Sequence, residues 1–265
     1  MELLNNYTAK TDKLFTAWKE QSLNDGFNDF CEDGLMYKGE IKTTCGDDGT
    51  TYWYRESLDE EALWGNAPKR VMFLNKDVNN NPNQDIREWI FRQNATDITA
   101  LIYKNMAFWL YGLLHIDSYG IAPDFNDIDD SKIFTPFIDK TPFAYVNCKK
   151  ESGGSTITNY TLSEHIDKYK YFLRDQILIL DPDIIICGGG SGIIRNFVEN
   201  NVYTDLQKIN GWMYYDEKRN KLLIDSFHPS YHFLTSKELY TRMMDHYHKF
   251  LTVYPNFMKS CRSLD

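Results

Sequence analysis

Residues Pro182-Asp183-Ile184-Ile185-Ile186-Cys187 give the clearest strand pattern in this chain of 265 residues. The run is apolar at consecutive positions, which is typical of a strand buried on both faces of a parallel sheet. The turn Gly188-Gly189-Gly190-Ser191-Gly192 follows it, and the pattern predicts helices over about 162–180 before it and about 193–200 after it. A buried strand between two helices is the unit from which α/β folds are built.

Further strands and helices are expected on both sides of this unit. The strands are predicted near 70–74, 142–147, 211–215 and 221–226, and the helices near 11–21, 84–93, 97–114 and 236–252. Apolar strands that alternate with helices favour a sheet covered on both faces. The sequence therefore predicts the α/β class, as a three-layer α/β/α sandwich with a mostly parallel central sheet.

Two regions are distinguished along the chain. Residues 1–67 are expected to form an N-terminal helix and an irregular extension, because turn signals recur through 22–66 without a clear periodic pattern. Residues 68–265 are expected to form the main α/β/α domain, on which the extension packs. The role of 22–66 is open: a lid, a partner surface or a DNA-contacting insertion, the last being disfavoured by its acidic residues.

Composition excludes several classes of protein. The chain is 42% hydrophobic and 25% charged, which is ordinary for a globular protein and not for a disordered one. No run approaches the roughly 20 apolar residues of a membrane span, and the N-terminus lacks a signal-peptide pattern. Five cysteines at irregular spacings indicate neither a disulfide framework nor a zinc ribbon. A cytoplasmic protein with reduced thiols and no membrane association is expected.

The net charge of −9 counts against a protein that binds nucleic acid non-specifically, because such binding depends on neutralising phosphates with basic residues. It does not exclude an enzyme with one local basic face, since affinity depends on the field at the site. The sequence leaves the oligomeric state open.

Polar side chains follow three of the expected strands. Asn75-Lys76-Asp77-Val78-Asn79 follows the first, Asn147 ends the second, and His228-Pro229-Ser230 follows the last. Each group alone is more typical of an ordinary turn. Ligands of open α/β folds bind at the carboxyl ends of the strands, so the three together predict one cleft with a carboxylate, an amide and an imidazole.

This arrangement resembles the uracil-DNA glycosylase superfamily, as a divergent member, over about residues 68–253. The most specific match is Ser226-Phe227-His228-Pro229-Ser230, which is similar to the family's His-Pro-Ser loop. Residues 71–79 are similar to its first motif, and the strand that ends in Asn147 is the third match. The resemblance implies the family's fold and hydrolysis of the N-glycosidic bond of a flipped-out pyrimidine, which leaves an abasic site.

The resemblance also implies roles for individual residues. Asp77 would stabilise the sugar cation or position a water molecule, and His228 would stabilise the departing base. Asn147 would read the base edge, with either face of its amide. The expected DNA contacts are Lys76, Gly154, Ser155, Ser230 and Tyr231, the last in a segment where the family often carries an apolar wedge. No cofactor and no metal are expected.

Asn79 is the clearest departure from the family pattern. The most stringent uracil enzymes have a tyrosine there, which closes the pocket against substituents on pyrimidine C5. Asn79 is smaller and polar, so this pocket is expected to admit uracil or a C5-modified cytosine, such as hydroxymethylated or glucosylated cytosine in phage DNA. The role would then be genome repair or defence against foreign DNA.

Two other functions remain open on the sequence. One is a DNA- or nucleotide-binding module that has lost catalysis. The other is an N-glycosidase acting on free nucleosides or nucleotides, which needs no DNA face. The turn at 188–192 lacks the full dinucleotide-binding spacing and is interpreted as a plain connection between strand and helix.

Overall fold

The computed structural model describes residues 6–78, 83–90, 98–154 and 156–259. Its strands are β1 (Gly34–Leu35), β2 (Ile41–Cys45), β3 (Thr51–Arg55), β4 (Val71–Asn75), β5 (Ala144–Asn147), β6 (Ile184–Gly188), β7 (Gln207–Lys208), β8 (Met213–Asp216) and β9 (Lys221–Ser226). Its α-helices are α1 (Tyr7–Asn24), α2 (Glu60–Gly65), α3 (Leu101–Leu114), α4 (Phe125–Ile128), α5 (Ser131–Lys140), α6 (Asn159–Leu180), α7 (Ile193–Asn201) and α8 (Ser236–Val253). A short 3₁₀ helix spans Ile86–Glu88.

Seven strands form the central sheet, in the order β1-β5-β4-β6-β9-β8-β7. The four inner strands β5, β4, β6 and β9 run parallel, and the outer strands join them antiparallel. The expected α/β class with a mostly parallel central sheet is confirmed. Because the inner strands are parallel, their carboxyl ends lie along one edge of the sheet.

Helices cover both faces of the sheet, which explains why its inner strands are apolar at consecutive positions. Phe73 and Ile186 point into one core, where α3 packs against α5 and α8. Leu74 and Cys187 point into the other core, where α1 and α7 pack against α6. All four side chains are fully buried. Successive side chains of a strand point to opposite faces of the sheet, so the position of a residue along its strand decides which helical layer it faces.

Residues 6–67 contribute to the sheet and to both cores. β1 pairs with β5 at the edge of the sheet, and Trp18 and Trp64 are fully buried in the core beneath α6. The expected irregular course of 22–66 is wrong at β1, at α2 and where β2 and β3 form an antiparallel hairpin. Its turn, which includes Gly49 at φ +77°, coincides with an expected turn signal. The flanking strands carry no buried residue, so they show no apolar alternation in the sequence.

Other elements of the structure differ from those predicted from the sequence. Only the 3₁₀ turn Ile86–Glu88 forms in the described part of the helix expected near 84–93, of which residues 91–93 lie outside the described residues. Helices α4 and α5 were not expected; α5 contains Pro136, which lacks the N–H of a helix interior. Among the described residues, no helix has both the length and the apolar character needed to cross a bilayer.

Candidate functional site

The polar residues after β4 and β5 lie side by side at the carboxyl edge of the sheet. Asn75 and Asn147 are partners in the parallel register of these strands. The pairing continues beyond them: the Cys148 N–H donates to the Asn75 carbonyl and the Lys149 N–H donates to the Lys76 carbonyl, each over 2.9 Å. The segment that leaves β5 is therefore held against the segment that carries Lys76 and leads to Asp77.

Asp77 sits in a partly buried position between basic side chains. A β-carbon placed on Gly153 would lie 3.6 Å from Asp77 Oδ2 and 3.5 Å from Lys149 Nζ, so both groups border the same glycine. Burial raises the pKa of Asp77, and the charges of Lys149 and Lys76 oppose that rise. The result is a half-buried carboxylate with nearby positive charge, as suits a group that acts on a substrate.

The imidazole of His228 is held in one tautomer by the turn that follows β9. The Ser230 N–H donates to His228 Nδ1 over 3.2 Å, and the Ser230 hydroxyl lies 2.7 Å from the same atom. Because Nδ1 accepts from a backbone N–H, the ring proton is on Nε2. Burial lowers the pKa of His228 to about 4, and the positive charge of Lys76 adds to this effect. His228 is thus neutral at physiological pH and offers an Nε2–H donor.

Asn105 of α3 anchors this turn from the core side. Its amide is fully buried and its Nδ2 donates to the Pro229 carbonyl over 2.6 Å. The Tyr231 N–H closes the turn by donating to the His228 carbonyl over 2.8 Å. Asn105 was not predicted from the sequence as a site residue. The signal that could have found it was a single amide on the otherwise apolar face of a long helix.

Gly189 brings the β4 end and the His228 turn together. It has a φ of +80°, and a β-carbon placed on it would lie 3.2 Å from the His228 backbone nitrogen and 3.4 Å from Lys76 Cε. A larger residue there would need both a strained backbone and displaced neighbours. The absence of a side chain therefore allows both Lys76 and His228 to lie close to this glycine.

A cleft of about 460 Å³ opens beside His228. Its polar lining comes from Lys76, Arg195, Asp225 and the loop Gly189–Gly192, and its aromatic lining from Trp212, Phe227 and Tyr231. Within it, Arg195 donates to Asp225 over 3.0 Å and to the Tyr214 hydroxyl over 2.9 Å. The glycine-rich turn, interpreted from the sequence as a plain connection, therefore lines the cleft that contains His228.

Asn147 has a different environment from the one expected. Its side chain is fully buried, and its backbone N–H and Nδ2 donate to Asp33 Oδ2 over 2.8 and 3.3 Å. Asn147 Oδ1 has no hydrogen-bond partner among the described residues. Asn147 does not line the cleft beside His228. Asp33, which lies directly before β1, was not predicted from the sequence as its partner.

The other expected site residues are distributed around the site. Lys76 and Tyr231 line the cleft, whereas Ser230 and Gly154 are exposed to solvent. Asn79 and Ser155 lie outside the described residues. In the described ranges no three His, Cys, Asp or Glu side chains are grouped so that they could hold a metal ion.

No family model matches this chain, and no curated protein matches it at a significant level.

Proposed function

We propose that this protein is a DNA glycosylase of the uracil-DNA glycosylase type, which hydrolyses the N-glycosidic bond of a flipped-out pyrimidine. One observation carries the proposal: Lys76, the neighbour of Asp77, and His228 meet across Gly189 at the carboxyl edge of a parallel sheet. Asp77 directly follows Lys76, and we infer that its carboxylate and the neutral imidazole of His228 act on the same substrate from different strands. The layered α/β architecture supports the same proposal.

The proposed role of Asp77 follows from the charge that develops on the sugar. As the bond between C1′ and the base nitrogen breaks, the sugar becomes cationic and the base leaves with the bonding electrons. A carboxylate beside C1′ stabilises that cation and orients the attacking water, whose proton it accepts. The partial burial of Asp77 strengthens this interaction, because water screens it less.

The proposed role of His228 follows from the charge that develops on the base. Negative charge accumulates on a pyrimidine carbonyl oxygen, and the Nε2–H of His228 can donate to that oxygen. Ser230 holds the ring in the required tautomer, so the donor does not need to reorganise during the reaction. Because its lowered pKa keeps the imidazole neutral, His228 donates a hydrogen bond from Nε2 and does not transfer a proton to the base.

Contacts to the DNA backbone are proposed for Lys76 and the exposed Ser230 and Gly154, which would position the strand without reading its sequence. Phe233, whose side chain is 74% exposed on the same loop as Ser230, is proposed as the wedge that fills the gap left by the flipped base. Asn147 is proposed to read the base through Oδ1, its side-chain atom that has no partner among the described residues. The base is uracil or a C5-modified cytosine.

A base-release assay tests the proposal. Duplexes carrying uracil, a thymine mispair, 5-hydroxymethylcytosine or glucosylated hydroxymethylcytosine are incubated with the protein, and alkali then cleaves any abasic site. Release from at least one duplex is expected, and the released base decides between repair and defence. DNA binding without release of any base would contradict the proposal and support a binding module. Release from free nucleosides that duplex DNA does not inhibit would support a nucleosidase.

A further inference from the structure

The buried carboxylate of Asp33 connects the N-terminal region to Asn147. Asp33 is fully buried just before β1, and its Oδ2 accepts both the backbone N–H and the Nδ2 of Asn147. Its Oδ1 accepts from Lys150 Nζ and, over 2.9 Å, from Gln176 Nε2. These four donors come from the end of β5, the loop after it and α6, so the carboxylate is held from several directions.

The donors around this group fix the orientation of the Asn147 amide. Both carboxylate oxygens of Asp33 act as acceptors, Oδ2 for the Asn147 backbone N–H and Oδ1 for Lys150 Nζ and Gln176 Nε2. The amide end that faces Asp33 must therefore be Nδ2, because turning the amide over would bring two acceptor oxygens together in a buried position. Oδ1 is then at the other end, and it is the atom without a partner among the described residues.

We propose that Asp33 is a positioning residue for base selection: it orients Asn147 so that Oδ1 meets the base, and so favours a base edge that presents an N–H there. This inference rests on the proposed glycosylase function. Uracil can present N3–H and a C5-modified cytosine can present its N4 amino group, whereas a bare acceptor edge is rejected. The orientation comes from residue 33, outside the segment that resembles the glycosylase family.

Asp33→Asn tests the inference, because the new amide has nearly the same shape but can both donate and accept. In this variant, either orientation of the Asn147 amide finds a partner. In ¹⁵N-resolved spectra of the full chain, the Asn147 side-chain amide is expected to exchange slowly with solvent in the wild type and at least tenfold faster in the variant. The ratio of single-turnover release rates from duplexes carrying uracil and duplexes carrying 2-pyrimidinone, whose N3 edge is a bare acceptor, is expected to move about tenfold towards unity, the equivalent of one hydrogen bond.

Asp183→Asn is the matched control. Asp183 is also a buried carboxylate, and it accepts the Arg70 N–H over 2.9 Å and interacts with Lys221, but it lies at the opposite end of β6. Its variant is expected to lose a comparable amount of thermal stability and to keep the selectivity ratio within about twofold. A selectivity ratio that is unchanged in Asp33→Asn would overturn the inference.

A pair of variants keeps the test decisive if Asp33→Asn folds poorly. Asn147→Asp places two carboxylates together, and Asp33→Asn combined with Asn147→Asp restores a donor and an acceptor with an oxygen still free at position 147. The double variant is expected to release base at least tenfold faster than Asn147→Asp alone. No gain in the double variant would contradict the inference. If Asp77 variants abolish release while these variants leave selectivity unchanged, the glycosylase proposal stands and this inference fails.

Discussion

The Ser230 N–H donates to Nδ1 of His228 over 3.2 Å, and this bond leaves the ring proton on Nε2, the other ring nitrogen. The two residues belong to the same short turn, so the tautomer is set locally by the backbone rather than by a distant acid. A side chain that must donate a hydrogen bond throughout a reaction gains from such an arrangement, because its donor is present before the substrate binds.

The pH dependence of base release follows from the two shifted groups. Because the pKa of His228 is lowered to about 4, the ring is neutral over the working range and no inflection is expected near 6.5. Because burial raises the pKa of Asp77 above its ordinary value of 3.8, activity should fall on the acid side as Asp77 takes up a proton. Single-turnover rates between pH 4 and 9 measure this profile. An activity that requires protonation of a group near pH 6.5 would contradict it.

Removal of the charge at Asp77 should also stabilise the fold. A raised carboxyl pKa means that ionisation is less favourable in the folded chain than in the unfolded chain, so the ionised group lowers stability at neutral pH. Asp77→Asn is expected to raise Tm by about 2 °C at pH 7 and to lose that advantage as the pH falls through the raised pKa. Differential scanning calorimetry at several pH values checks this; a lower Tm in Asp77→Asn would contradict it.

The proposed wedge is Phe233 rather than Tyr231. The Tyr231 ring stacks on Phe227 with 4.5 Å between ring centroids, whereas the Phe233 side chain is 74% exposed. Phe233→Ala is expected to slow single-turnover release from duplex DNA about tenfold and to leave release from single-stranded DNA unchanged, because only the duplex requires base flipping. Tyr119→Ala removes another strongly exposed ring, 80% exposed, and serves as control. Equal losses on both substrates would contradict the wedge.

Lys76 is expected to contribute electrostatically to DNA affinity. Its side chain lines the cleft beside His228, where a phosphate could approach. Lys76→Ala should weaken duplex binding several-fold and reduce the slope of log affinity against log salt by about 1. Lys13→Ala, an exposed lysine on α1, should leave both quantities unchanged. Fluorescence anisotropy titrations at several salt concentrations measure them, and an unchanged slope in Lys76→Ala would exclude a phosphate contact.

Residues 6–67 are expected to be required for folding. Trp18 is fully buried against Phe30 and Phe172, so Trp18→Ala should cost about 3–5 kcal/mol of unfolding free energy. Tyr52→Ala on the exposed hairpin should cost less than about 0.5 kcal/mol. Urea unfolding measures both. A fragment of residues 68–265 should show no cooperative transition; one that unfolds as sharply as the full chain would contradict this expectation.

The sequence predicted the elements that bury continuous apolar runs. β4, β6, α3 and α8 form close to their expected positions, because burial on both faces of a strand, or on one face of a helix, leaves a periodic pattern. The hairpin of β2 and β3 has no buried residue and left no such pattern. Its existence depends on cross-strand hydrogen bonds that residue types do not reveal.

The positions of the candidate residues at the strand ends could be predicted from the sequence, but their supporting contacts could not. Asp77 and His228 could be chosen as candidates because they follow strands that run parallel in one sheet. Asp33 and Asn105 could not, because each acts through a buried bond to a residue more than 100 positions away. Asn147 was identified by position, but its full burial against Asp33 depends on the packing of β1 on β5.

The most direct test of the central claim is the effect of Asp77→Asn on single-turnover release from the best duplex substrate. The variant has almost the same shape but cannot stabilise a cation or accept a proton, so the rate is expected to fall by about 10²–10³-fold while duplex affinity is retained. Asp47→Asn, an exposed carboxylate in the hairpin turn, should release base at the wild-type rate. If Asp77→Asn released base as fast as the wild type, Asp77 would not be the catalytic carboxylate and the proposed active site would be wrong.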